Sequence, residues 1–351
     1  MAGTLYRAVR PFLFRFDAEQ THDAALRALT LAAASAPGRR LLVALGGVSR
    51  PAPADALRMT FRNPIGLAAG FDKDGVAIGA WAALGFGFVE LGTVTPRPQP
   101  GNARPRLFRL TRDQALINRM GFNNAGAAGL AARVAAARRR LPASFRIGVS
   151  IGRGAATSPS HELDDYREAY RAVAPHADYV AINVSSPNTA GLRDLEDRIR
   201  LARLVEALVD EPLPDRRARP PLVVKLSPDR QHDPLATVLD AIGSTPASGV
   251  ILVNTTRARP RLRSPERLLR EPGGLSGAPL KPLMLRSLAL ARERLPEEMT
   301  LVASGGVFDA DDVRAALQAG ASLVQIYTGF IYRGPSVVGE LTDAAARMAP
   351  V

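Results

Sequence analysis

Within the run Asn183-Val184-Ser185-Ser186-Pro187-Asn188-Thr189 stand two amides, neighbouring hydroxyls and a proline-pinned turn. The run follows an apolar, strand-like stretch, Tyr179-Val180-Ala181-Ile182. Asn183 and Asn188 each carry a donor and an acceptor on one amide, which suits a small ring bearing both carbonyl and N–H groups. Ser186 is the candidate proton acceptor among them. A turn that merely caps the next helix accounts for the same residues, so the segment takes its meaning from the rest of the chain.

Similar clusters recur after other apolar runs. Ala68-Ala69-Gly70-Phe71-Asp72-Lys73-Asp74-Gly75 combines small residues, which let a flat ring approach the backbone, with a cation at Lys73. A helix-initiating turn with solvent-facing charges is the other reading. Thr93 and Thr95 precede a long connection that delivers Asn118-Arg119-Met120-Gly121-Phe122-Asn123-Asn124. There Asn118 supplies an amide, Phe122 a ring able to cover a small substrate, and Asn124 a helix cap. Asn254-Thr255-Thr256 adds a further amide and hydroxyl pair. Three glycine-bearing segments follow: Gly273-Gly274-Leu275-Ser276-Gly277, Ser304-Gly305-Gly306-Val307 and Gln325-Ile326-Tyr327-Thr328-Gly329. In order and at successive strand ends, they fit a phosphate-bearing cofactor. With no nicotinamide fingerprint present, flavin mononucleotide (FMN) is the expected cofactor. Lys225, in Val223-Val224-Lys225-Leu226, needs a partner if buried and is suited to place charge beside the reducible part of a flavin.

The elements that must position these groups alternate. Short apolar runs at 65–68, 88–91, 147–151, 179–183, 222–226, 249–253, 301–304 and 324–326 read as strands buried on both faces. Helical stretches at 75–84, 124–140, 164–174, 195–209, 233–242, 281–294 and 310–319 lie between them. Eight strands with helical crossovers predict an α/β chain, a (β/α)8 TIM barrel, with sites at the carboxyl ends of its strands. A doubly wound sheet is the alternative, but no GxGxxG follows the first strand. Two long connections, 93–117 and 257–272, are candidates for functional loops; 211–220 reads as a plain surface link.

Residues 1–50 stand apart from a barrel domain at 51–351. Tyr6, Val9, Leu13 and Phe16 share one helical stripe, with Arg7, Arg10 and Arg15 around it. Asp17 to Gln20 resembles a capping box for a second helix, 18–35, ended by Pro37-Gly38. The small helical extension reads equally as a cap on the barrel bottom or as a basic amphipathic membrane anchor.

Composition sets outer limits. The 351 residues contain no cysteine, which excludes disulfides, Fe–S clusters and a cysteine base. The four histidines, at 22, 161, 176 and 232, lack metal-ligand spacing, so no metal is expected. No run approaches the ~20 apolar residues of a membrane span, and Arg7, Arg10 and Arg15 interrupt any signal-peptide core. The chain is expected to stay in the cytoplasm or to lie on a membrane, as a peripheral protein on the cytoplasmic side of the cell membrane, rather than to cross one. The net charge of +13, concentrated at Arg138-Arg139-Arg140, Arg216-Arg217 and 257–270, fits a solvated surface or an anionic partner.

Taken together, the motifs resemble dihydroorotate dehydrogenases of the class 2, quinone-reducing type. The likeness runs through 69–75, the segment Gly92-Thr93-Val94-Thr95-Pro96-Arg97-Pro98-Gln99-Pro100-Gly101-Asn102, then 118–124, 183–189, 273–277 and 323–329, and includes Phe16-Asp17-Ala18-Glu19-Gln20-Thr21-His22. The resemblance implies that Ser186 is the catalytic base, with Thr189 and Phe122 beside it; class 1 enzymes use cysteine there. It implies that Lys73, Asn118, Arg119, Met120, Gly121, Phe122, Asn183, Asn188, Asn254 and Thr255 bind dihydroorotate. It implies FMN contacts from Ala69, Gly70, Phe71, Asp72, Lys73, Thr93, Ser150, Asn183, Lys225, Val253, Gly277, Gly306, Tyr327 and Thr328. Two positions depart from the pattern: Ser150 stands where many relatives have Asn and reaches less far, and Val253 stands where some have Thr. The implied chemistry is removal of the C5 proton by Ser186 and transfer of a hydride from C6 to flavin N5, giving orotate. A membrane quinone then reoxidises the flavin, with the first 50 residues as its entry and as the contact with the membrane surface. A flavin-dependent tRNA dihydrouridine synthase-like RNA reductase is the rival enzyme class, although no RNA-binding appendage or cysteine is present and no nucleic-acid partner is expected. A flavin- or phosphate-binding barrel without activity is the non-enzymatic rival; the convergent amides argue against it.

Overall fold

The computed structural model describes residues 2–189, 191–213, 219–229 and 233–348. Arg216-Arg217, His232 and part of the 211–220 link lie outside the described residues. Eight parallel strands close into a barrel: β1 (Ile65–Leu67), β2 (Phe88–Val94), β3 (Arg146–Ile151), β4 (Tyr179–Asn183), β5 (Leu222–Leu226), β6 (Gly249–Leu252), β7 (Thr300–Ser304) and β8 (Leu323–Ile326). Each pairs with the next in parallel register, and β8 pairs with β1. They coincide with the expected apolar runs to within a few residues, because strands covered on both faces are predominantly apolar.

Most crossover helices are shorter than the periodicity suggests. The expected helix at 75–84 is Ile78–Ala83. The Asp72 carboxylate draws Val76 and Ala77 into a turn by accepting their N–H groups at 2.8 and 2.9 Å. The expected helix at 124–140 is Ala127–Arg138, entered through Gly126 at φ 87°. The first long connection carries strands of its own. Leu107–Leu110 and Ala115–Asn118 form an antiparallel sheet with Gly274–Gly277, which lies just past the second connection.

Side chains alternate along each strand, which builds the barrel interior in layers. The lower layer is apolar: Phe88, Tyr179, Ala181, Val223, Ile251, Val302 and Leu323 pack with Leu57 and Phe61. Gly66 and Gly148 make room for the two largest rings, since a Cβ there would lie 2.3 Å from the Phe88 ring and 2.1 Å from the Tyr179 ring. Two residues further along β2, β5 and β8 the interior turns polar, with Glu90, Lys225 and Gln325, all buried.

The first residues form three helices, α1 (Ala2–Leu13), α2 (Ala18–Ala34) and α3 (Ala36–Gly46). Asp17 caps α2 through Glu19 and Gln20 N–H. Pro37-Gly38 opens a helix where the sequence suggested an end, because Ser35 caps α3 and proline is tolerated in a first turn. The barrel bottom is closed by an antiparallel hairpin, Ala54–Ala56 with Met59–Phe61. The helices instead dock near β1 and β8: α1 touches Thr328–Arg333, and α2 touches Ile78–Ala83 and Leu107–Leu110. The bottom-cap reading of the extension is therefore wrong. The α1 stripe is also redrawn. Tyr6 and Arg10 face inward, bonding Ile331 O at 2.5 Å and Tyr332 O at 2.7 Å, while Leu5, Val9, Phe12 and Phe16 form the exposed apolar face.

Candidate active site

A cavity opens at the carboxyl ends of the strands. Among the residues singled out in the sequence, Ala69, Gly70, Lys73, Thr93, Asn118, Met120, Gly121, Phe122, Asn183, Ser186, Asn188, Lys225, Val253, Asn254, Thr255, Gly277, Gly306, Tyr327 and Thr328 line it. Four do not. The Phe71 ring packs edge-on against Trp81, Tyr327, Phe330 and His22. The Asp72 carboxylate is spent on Val76, Ala77 and Trp81. The Arg119 guanidinium turns outward to Glu271 at 2.6 Å and lies over the Phe108 ring. Ser150 sits behind Thr93, hydroxyl to hydroxyl at 2.9 Å, so its side chain supports the wall without forming it.

The amides are held before any ligand arrives. Asn188 donates Nδ2–H to Asn118 Oδ1 at 3.0 Å. Asn183 donates to Thr93 Oγ1 at 2.8 Å, and Asn254 donates to Ser185 Oγ at 2.8 Å. One amide–amide pair and two amide–hydroxyl pairs thus set four amides around the same space, the kind of pre-set geometry that orients a small polar ring. Ser186 is 6% exposed, and its Oγ accepts the Asn188 N–H at 3.3 Å. Nearby Thr189 Oγ1 is buried without a partner among the described residues. Phe122 lies in the left-handed region at φ 54°, uncommon for an aromatic residue. Donation from Gln99 and Asn124 side chains to its carbonyl, at 3.0 and 2.7 Å, holds it there.

Sequence reasoning missed several wall and floor residues: Ser276, Leu280, Ser304, Gly305 and Gln325 also face the cavity. Their segments were visible as glycine-rich strand ends; which side chains turn inward was not. Glu90, beneath the floor, gave no signal at all, since one acidic residue in an apolar run has no partner until the barrel closes.

The residues present fit a flavin nucleotide. At Gly305 and Gly306, φ values of 110° and 80° turn the backbone in a conformation suited to glycine, and their N–H groups make no bond within the described chain. Such free amides beside β7 and β8 suit a phosphate. On the floor, Gln325 Oε1 is buried without a partner among the described residues, an acceptor waiting for an N–H donor. Lys73 and Lys225 supply cations to the same space.

Electrostatics differ between the two cations. Lys225 Nζ lies 3.5 Å from Glu90 Oε1. Burial pushes the Lys73 ammonium down to about 8; Arg106 adds to this, while Glu19, Asp74 and Asp23 oppose it. Burial alone would raise the Glu19 carboxyl, but hydrogen bonds from Arg106 and Arg104 outweigh it and hold it below its ordinary range. His22 is pushed down to about 4, chiefly by burial and further by Lys73, so it is neutral at neutral pH.

A second cavity lies between α2 and the barrel, lined by Glu19, His22, Leu26, Leu31, Phe71 and Leu107. Gly70, Lys73, Met120 and Tyr327 line both cavities and form a shared wall.

Known proteins resemble the chain over nearly its full length. The sequence profile described as Dihydroorotate dehydrogenase matches residues 54–348. A protein of Xylella fastidiosa (strain M23), named Dihydroorotate dehydrogenase (quinone), is 46% identical over 349 residues, covering 98% of this chain and 96% of its own. One of the same name from Salinispora arenicola (strain CNS-205) is 47% identical over 343 residues, covering 97% and 98%. Among solved structures, ligand-free DHODH from Eimeria tenella superposes with a TM-score of 0.83 at 36% identity, covering 94% of each chain. DHODH from the same organism in complex with ferulenol gives 0.82 at 35% identity, covering 93% of this chain and 90% of that one.

Proposed function

The chain belongs to the dihydroorotate dehydrogenase family, and from that premise we propose how its residues divide the work. It oxidises dihydroorotate to orotate with a quinone as electron acceptor, a step of pyrimidine biosynthesis. The RNA-reductase reading has no support, since the matching profile and the named relatives are all of this one family. The family is flavin-dependent, and FMN is the flavin we assign. When bound, it supplies a two-electron acceptor for the hydride leaving C6 and returns the electrons to quinone.

Ser186 is the base we assign to the C5 proton. Its support is position: a nearly buried hydroxyl among four amides, with Thr189 Oγ1 unpartnered nearby to pass the proton onward. Asn118, Asn183, Asn188 and Asn254 hold the ring's amide edges, Thr255 adds a hydroxyl, and Lys73 is assigned to the carboxylate. Met120, Gly121 and Phe122 cover the substrate and shield the reacting carbons from water. Ala69, Gly70, Thr93, Asn183, Lys225, Val253, Gly277, Gly306, Tyr327 and Thr328 are the proposed FMN contacts, with Ser150 acting only through Thr93.

The quinone's path is the second cavity, and residues 1–50 are its proposed access and membrane segment, with 51–351 as the catalytic barrel. The exposed face Leu5, Val9, Phe12 and Phe16 carries the membrane reading, seated in the lipid interface on the cytoplasmic side. No described helix is long and apolar enough to cross a membrane. No nucleic-acid partner enters the proposal.

The observation that carries this reading is the single cavity that gathers Ser186, the four asparagines and both lysines. The test is anaerobic addition of dihydroorotate to the purified protein. Flavin absorbance is expected to bleach and to return with quinone but not with fumarate or NAD. A bound flavin that never bleaches would overturn the assignment.

A further inference from the structure

The polar layer of the barrel interior contains a group that the proposed mechanism does not use. Glu90, on β2, is fully buried. Its Oε2 accepts hydrogen bonds from Gln325 Nε2 at 2.7 Å and Tyr179 OH at 3.1 Å. Its Oε1 has no hydrogen-bond partner among the described residues and faces the Lys225 ammonium at 3.5 Å. Lys225 and Gln325 line the cavity; Glu90 and Tyr179 do not. The four side chains come from β2, β4, β5 and β8, so the network spans the barrel directly above its apolar plug.

A buried ion pair is weak evidence for stability, because desolvation of both charges offsets their attraction. Isoleucines or leucines would fill this layer at no electrostatic cost, as they do in barrels generally. The pair therefore calls for a functional account, and the geometry supplies one. Lys225 has a carboxylate on its inner side and the cavity on its outer side. Its charge is shared between Glu90 and whatever anion forms in the cavity.

We infer that Glu90 is a positioning residue that fixes Lys225 at the cavity floor and withholds part of its charge from the bound flavin, keeping the reduced flavin reoxidisable. The inference rests on the flavin assignment above. A two-step enzyme needs a flavin that accepts electrons from one substrate and yields them to another. An unopposed lysine would hold the anionic reduced form too firmly; a lysine neutralised completely would not stabilise it at all. Glu90 sets the intermediate value, and Tyr179 trims it by donating a hydrogen bond that spreads the carboxylate charge.

The test is the flavin midpoint potential of the holoenzyme in Glu90→Gln and Tyr179→Phe, neither of which lines the cavity. Glutamine keeps the shape of the side chain and removes its charge. In Glu90→Gln the reduction equilibrium is expected to move toward the reduced flavin by roughly tenfold, about 30 mV upward for a two-electron couple. Quinone reoxidation is expected to slow while reduction by dihydroorotate does not. In Tyr179→Phe the undiluted carboxylate pulls harder on Lys225, and the potential is expected to move downward by a smaller amount. Lys225→Met is expected to abolish most of the Glu90→Gln shift in the double variant, as required if one residue acts through the other. Unchanged potentials in both single variants, or shifts of the same sign, would overturn the inference while leaving bleaching by dihydroorotate intact. A purified protein that holds no flavin would overturn the flavin assignment and the inference together.

Discussion

The two cavities share a wall and differ in almost everything else. The first is built from strand ends, and its polar groups are paired with one another before a ligand binds, as in Asn188–Asn118 and Asn183–Thr93. The second is built against α2, and its wall mixes Leu26, Leu31, Phe71 and Leu107 with charges gathered at Glu19. Proton and hydride transfer need atoms fixed to within fractions of an ångström; admission of an apolar acceptor needs surface rather than geometry. In the proposed division of work each demand falls on the element that can meet it, rigid barrel for one and docked helices for the other. The two half-reactions should therefore fail separately under mutation.

The sharpest separation is expected from Ser186→Ala. Loss of a general base costs roughly 10²–10⁴-fold in the chemical step. Rapid mixing with dihydroorotate should show flavin reduction slowed by that factor, with reoxidation of chemically reduced enzyme by quinone unchanged. If reduction keeps its wild-type rate, Ser186 is not the base; if both halves slow together, the cavities are not independent.

Lys73 belongs to both cavities, so it tests the shared wall. Its ammonium is pushed down to about 8, first by burial and then by Arg106. A group with a depressed value carries its charge below that pH and loses it above. The kcat/KM for dihydroorotate should therefore be flat below about pH 8 and fall by up to tenfold per pH unit above it. Lys73→Arg, which stays charged throughout, should remove that limb even if overall activity drops. Persistence of the limb in the arginine variant would assign it to another group.

How much of this was legible in the sequence follows the same division. The eight strands were readable because burial on both faces keeps most of their residues apolar, and their ends marked where chemistry had to be. Ser186 and the asparagines stood out because amides and hydroxyls cluster at several strand ends. What failed was assignment by segment. Phe71, Asp72 and Arg119 sit inside the right motifs, yet a ring, a carboxylate and a guanidinium there are used for packing, a turn and a surface ion pair. Pairings across distant sequence were invisible. Gly273–Gly277 reads as a glycine-bearing strand end, and only the fold pairs its last four residues with Ala115–Asn118; Glu90 carries no signal until the barrel brings it to Lys225. Of the stripe expected along the first helix, Val9 and Phe16 are on the exposed face but Tyr6 is not, because Tyr6 is as apolar in pattern as Leu5 and only docking against Ile331 separates them.

The exposed face of α1 gives the mildest test and the cleanest. Deleting residues 1–50 would be a poor one. Glu19 on α2 is the buried counter-charge of Arg106, at 2.7 Å, and its removal would strip charge balance from the shared wall as well as the proposed membrane contact. Point changes on the outer stripe avoid this, since Val9 and Phe12 are 42% and 58% exposed and touch neither cavity. Phe12→Asp removes one aromatic anchor and adds a charge that an anionic surface repels. Partial burial of such a ring in a lipid interface supports a roughly five- to tenfold loss of partitioning onto anionic vesicles. Turnover with a membrane-embedded quinone should fall in step, whereas turnover with a soluble quinone analogue and bleaching by dihydroorotate should not change. Equal vesicle binding by Phe12→Asp and the unaltered protein would remove this face from the membrane contact, and the contrast between the two cavities would then stand on the interior wall alone.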